Sequence, residues 1–259
     1  RGQIMTPSPH RARVSLGATC SVDAMGSLRI AVQIARHRGA ELHGLLVTDE
    51  AILAAASGPR ARAVAFFGGQ VAPITAERML AAFRADARRF QAGLLRAAQA
   101  ASLQAAFGQA RGRLVPALEQ RAGAGDLLVY GFARPEGGAD CVVLLLGGTA
   151  PAADLMSLAA GLAADLRKPL VVLAPPRHRA SLQSALAPHD PVIVGVADAR
   201  ALLAQLERRR PAAVIAAAPR AALPPVGRLL DAARCPVICP VDSVFAPPLP
   251  PDRAGDAPT

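Results

Sequence analysis

The chain repeats itself at one long offset. Near its start it reads Arg13-Val14-Ser15-Leu16-Gly17-Ala18-Thr19, then a helical stretch, then Glu41-Leu42-His43-Gly44-Leu45-Leu46-Val47. Later it reads Cys141-Val142-Val143-Leu144-Leu145-Leu146-Gly147-Gly148-Thr149, a second helical stretch, and Pro169-Leu170-Val171-Val172-Leu173. Thr149 follows Thr19 by 130 residues, and the same offset pairs Gly17 with Gly147 and Ser27-Leu28 with Ser157-Leu158. A solenoid repeat has a period of roughly 20 to 50 residues, so the duplicated unit here is a whole α/β module. Each copy reads strand, small-residue turn, helix, strand.

Periodicity carries the rest of the chain. Residues 42–47 and 141–146 are near-continuous apolar runs, the mark of parallel strands covered on both faces. Residues 23–38 show a helical apolar face that Gly39 stops. Residues 58–74 break any period and read as a long loop or small flap with an apolar middle. Thr75 then caps the clearest helix. Its stripe of Met79, Leu80, Phe83, Ala87, Phe90, Leu94, Leu95 and Ala98 lies opposite Arg78, Arg84, Arg88, Arg89 and Arg96. Strands follow at 103–110 and 126–131, with a short helix at 115–122 between them. The second copy gives strands at 141–146, 170–174, 192–196 and 213–217, helices at 151–166, 198–209 and 226–233, and a last strand at 237–241. Pro236 and Pro240 bracket that last strand. Proline cannot donate to a ladder, so an edge position is expected.

The boundaries are therefore 11–138 for a first unit without its last helix and strand, 139–245 for a second unit, and 246–259 for a proline-rich, disordered tail. The edge left beside residues 126–131 needs cover. Strand 237–241 is expected to supply it, by reaching across or by pairing with the same strand of a second molecule in a homodimer.

Composition removes several function classes. Of 259 residues, 52% are hydrophobic and only 3% aromatic, with no Trp and one Tyr, which argues against a nucleic-acid surface built on base stacking. The net charge of +10 is nearly all arginine. Arginine suits phosphates and carboxylates, but these arginines read as scattered over solvated helix faces. A weak, salt-sensitive hold on nucleic acid is the most they imply. Cys20, Cys141, Cys235 and Cys239 fit buried thiols in a reducing cytoplasm, and no Cys/His set has zinc spacing. No signal peptide or membrane span is read from the sequence. The histidines, His10, His37, His43, His178 and His189, lack the serine elbow or paired carboxylates that hydrolytic chemistry needs. No catalytic or metal-binding residue is expected.

The order of elements in both halves resembles the universal stress protein family in its tandem two-domain form. The matching pieces are residues 14–19 leading into helix 23–38, Gly125-Asp126-Leu127-Leu128-Val129-Tyr130-Gly131, and Val226-Gly227-Arg228-Leu229-Leu230-Asp231-Ala232-Ala233-Arg234-Cys235-Pro236-Val237-Ile238. The resemblance covers residues 11–242. It implies two tandem, doubly wound, Rossmann-like parallel sheets and a role in the stress response. Members that bind ATP carry Gly-x-x-Gly-x9-Gly-Ser/Thr after the fourth strand and an Asp at the end of the first. This chain reads Ala218-Pro219-Arg220-Ala221-Ala222-Leu223-Pro224-Pro225 at the first place, and Gly17 and Gly147 at the second. Proline lacks the N–H that a phosphate cradle uses.

In open α/β sheets ligands sit at the carboxyl ends of the strands. The candidate ligand-binding residues are therefore Gly17, Ala18, Thr19, Gly147, Gly148, Thr149, Ala218 and Arg220; the glycines would equally serve tight strand-to-helix turns. The expectation is a binding and regulatory module, not an enzyme, with no cofactor, acting through an unknown protein partner or a small anion. Its alternatives are an ATP- or AMP-binding stress protein with a divergent phosphate loop and an arginine-driven nucleic-acid binder.

Overall fold

The structure, a computed structural model, describes residues 12–50, 54, 62–64, 71–73, 75–133, 138–147, 153–218 and 222–241. The first half runs β1 (Arg13–Ala18), α1 (Ser21–Arg38), β2 (Glu41–Thr48), β3 (Arg62–Val64), β4 (Val71–Pro73), α2 (Ala76–Ala100), β5 (Ala105–Arg111), α3 (Leu114–Glu119) and β6 (Leu127–Tyr130). The second runs β7 (Cys141–Leu146), α4 (Ala153–Leu166), β8 (Leu170–Ala174), α5 (Arg179–Ala185), β9 (Val192–Gly195), α6 (Ala199–Arg208), β10 (Pro211–Ala217), α7 (Val226–Ala233) and β11 (Val237–Pro240). Single 3-10 turns flank α5 and hold His178 and His189.

Local chemistry sets these boundaries. Thr75 accepts from the Arg78 N–H at 3.2 Å and Asp198 from the Ala201 N–H at 2.7 Å, each capping its helix. Gly39, at φ 58°, closes α1 by donating to the Ala35 and Arg36 carbonyls. β6, β7 and β8 are buried at every residue, as their unbroken apolar runs require.

Nine strands form one sheet in the order β5-β2-β1-β6-β11-β10-β7-β8-β9. Every pairing is parallel except β11 with β6, where Val237 faces Tyr130 and Pro240 faces Leu127 in antiparallel register. From either rim inward the order is third, second, first and fourth strand of a half, and β11 stands between the two fourth strands. The fold class is thus α/β with a parallel-dominated, doubly wound sheet. The chain moves outward from β1 to β2 to β5, keeping α1 and α2 on one face, then returns through α3 on the other. One apolar core covers each face, and each draws on both halves. Leu16, Leu42, Leu144 and Ile215 belong to the first, and Tyr130, Leu145, Val214 and Val237 to the second.

Three expectations need correction or placing. The last strand is central, not an edge. Its prolines stand at its ends: Pro236 precedes the strand and accepts from the Val214 N–H, and Pro240 closes it, beyond Ile238 where the pairing with β10 stops. Within the segment read as a long loop or small flap, β3 and β4 pair antiparallel as a separate two-stranded sheet. The 246–259 tail lies outside the described residues. Among the described residues no helix is long and apolar enough to cross a membrane.

Candidate functional site

The crevice at the carboxyl end of β1 is filled from within. A Cβ on Gly17 would lie 3.0 Å from Leu118 Cδ2 and 3.1 Å from Leu114 Cδ1, so the glycine lets α3 press its leucines onto the strand. The Gly17 carbonyl accepts from the Gly131 N–H at 2.7 Å, and a Cβ on Gly131 would meet that same oxygen at 3.0 Å. Ala18 is fully buried, and Thr19 half-buried.

The N-terminus of α1, where free N–H groups and the helix dipole favour an anion, already holds the chain's own carboxylates. Asp86 of α2 accepts from the Ser21 N–H at 3.2 Å and the Ser21 hydroxyl at 2.7 Å. Asp23 accepts from the Ala133 N–H at 2.7 Å and, at 3.3 Å, from the Cys20 thiol, which caps the helix. Burial, more than the neighbouring Asp23 charge, pushes the Cys20 thiol up from its usual range. The Ser27 hydroxyl donates to the Asp23 carbonyl at 2.9 Å and accepts from the Phe132 N–H at 2.9 Å. Together these bonds tie the turn after β6 to the first turns of α1.

In the second half, Gly147 and Ala218 are both buried and follow the paired residues Leu146 and Ala217 on adjacent strands. Gly148, Thr149 and Arg220 lie outside the described residues. The structure therefore brings together Gly17 with Ala18 and Thr19, and separately Gly147 with Ala218, but not the two sets.

Sequence reasoning missed two features. One is Asp86, the acid midway along an arginine-rich helix; that isolation was its only signal. The other is a cleft of about 480 Å³ lined by Thr48, Gln109, Arg84, Arg111, Arg121 and Phe83, with Leu80 and Ala110 completing the wall. The Arg121 guanidinium donates to the Gln109 carbonyl at 3.4 Å. Its arginines come from α2, the end of β5 and the loop after α3, so no spacing in the sequence announces them. Among the described residues no group of three His, Cys, Asp or Glu side chains could hold a metal ion.

No family model matches the chain, and no curated protein matches it. Among solved structures it is similar to a universal stress protein from Archaeoglobus fulgidus, at 11% identity and a TM-score of 0.44, covering 87% of this chain and 95% of that one. It is also similar to MurG from Acinetobacter baumannii, at 13% identity and a TM-score of 0.21, covering 79% and 72%. At these identities the likeness concerns fold alone, and the fold class stands on the strand order.

Proposed function

We propose that this chain is a binding and regulatory module of the universal stress protein type, without chemistry of its own and without ATP held in that family's manner. The scaffold reading draws on the order of elements in both halves and on the doubly wound sheet. The observation that carries the functional reading is the occupied N-terminus of α1. A triphosphate there would have to displace Asp86 from Ser21 and sit beside Asp23, with like charges opposing it. It would also have to open the contact of Leu114 and Leu118 with Gly17. The module acts instead through a partner or a smaller anion elsewhere on its surface.

A thermal-shift series with ATP, AMP and cyclic nucleotides tests this. The expected result is no stabilisation at micromolar ligand. A nucleotide that raises the melting temperature at that concentration, with the effect changed in the Asp86→Asn variant, overturns it.

A further inference from the structure

We propose that the cleft at the carboxyl ends of β2 and β5 is a binding site for a small phosphomonoester with an apolar body. This deepens the binding-module reading and rests on it, by naming the ligand class. Three guanidiniums, Arg84, Arg111 and Arg121, line one concavity, and no carboxylate stands among its described lining residues. Arg13 pairs with Asp126, Arg38 with Asp154 and Arg89 with Asp86. Among the described residues none of the three cleft arginines stands in an ion pair.

The cleft is built by separate elements held in register. Thr48 ends β2 directly beside Arg111 at the end of β5. Arg121 is steadied across the strand end by the Gln109 carbonyl. Leu80 and Phe83 on α2 supply an apolar wall, and Arg84 follows them on the same helix.

Ligand chemistry follows from this inventory. A phosphomonoester dianion offers three acceptor oxygens and close to two negative charges, which several guanidinium forks can share; a monocarboxylate occupies only one fork. The Thr48 hydroxyl and the Gln109 amide add neutral hydrogen-bonding groups. The volume of about 480 Å³ lies within the range of small-molecule sites. It exceeds what a phosphate group fills, and the Leu80–Phe83 wall gives the remainder an apolar surface.

Calorimetric titration of the full chain with phenyl phosphate, inorganic phosphate and benzoate provides the test. Phenyl phosphate is expected to bind at least about tenfold more tightly than either of the others. Arg111→Gln and Arg121→Gln, both at exposed positions, are each expected to weaken it about tenfold or more while leaving the melting temperature unchanged. Arg36→Gln on α1, outside the cleft, is expected to have no effect. No binding up to about 10 mM phenyl phosphate, equal affinity for benzoate, or binding indifferent to both cleft variants overturns the proposal. Those failures leave the binding-module reading in place. That reading fails separately, through micromolar ATP binding that survives both cleft variants.

Discussion

The two halves of the sheet match at their rims and differ at the centre. The second half completes a five-strand unit, β9-β8-β7-β10-β11, whereas the first stops at four, β5-β2-β1-β6, and takes β11 as its neighbour in the opposite direction. The helix starts differ too. Leu28 and its repeat Leu158 are both buried, but Ser27 is fully buried and ties the turn after β6, while Ser157 is exposed. The first half has replaced a missing closing unit with polar ties of its own and with a borrowed strand. A duplicated sequence thus need not mean two self-sufficient units; here both cores run across the seam.

The strongest way to break this contrast is to spoil the shared strand. Ile238 is fully buried in the middle of β11. Ile238→Asp places an unpaired carboxylate in the core and is expected to cost at least about 4 kcal/mol, leaving neither half folded. Tyr130, the only tyrosine in a chain without Trp, lies opposite Val237 at the seam, so near-UV circular dichroism reports it directly. A variant that keeps the parental tyrosine signal and melting temperature would show that the first half closes without β11.

A smaller effect distinguishes the two halves at their other polar anchor. Asp126, just before β6, is buried and accepts from the Arg13 N–H at 3.0 Å and the Gly123 N–H at 2.9 Å, with the Arg13 guanidinium at 3.0 Å. Asp126→Ala strands all three donors and is expected to cost about 2–4 kcal/mol in urea denaturation. Asp140, exposed just before β7, is the comparison, and Asp140→Ala is expected to stay within about 0.5 kcal/mol. Equal costs would erase the distinction.

The smallest expected effect concerns the place where the first helices of the two halves meet. Arg38 pairs with Asp154 there, and His37 Nε2 lies 2.9 Å from Asp165. The hydrogen bond from Arg38 holds the Asp154 carboxyl below the usual carboxylate range. A depressed folded-state value stabilises the protein above the unfolded value of about 3.9 and loses that contribution as pH falls through the folded one. Asp154 is half exposed, so Asp154→Asn is expected to cost at most about 0.5–1 kcal/mol at neutral pH. The gap from the parent should shrink below pH of about 4 and with added salt. A gap that persists in acid would assign the effect to packing.

Much of this was readable beforehand because it is local. The Thr75 cap, the Gly39 stop, the 226–233 helix and the buried strands all follow from short-range pattern. The reach of strand 237–241 across to residues 126–131 was legible, but its two prolines argued for an edge, and only the pairing shows that they stand at the ends of a central strand. The pairing of β3 with β4 falls in a segment whose glycines break any period. Asp86 meets Ser21 across 65 residues, and the cleft arginines meet across three elements. Such distant side-chain encounters leave no spacing to read.

The antiparallel seam also bears on how the chain is made. The strand that covers β6 is synthesised roughly a hundred residues after it. At ordinary elongation rates of about 5–20 residues per second, that edge waits on the order of ten seconds without its neighbour. Nascent-chain handling, more than the finished fold, is then where this protein is most exposed to mispairing.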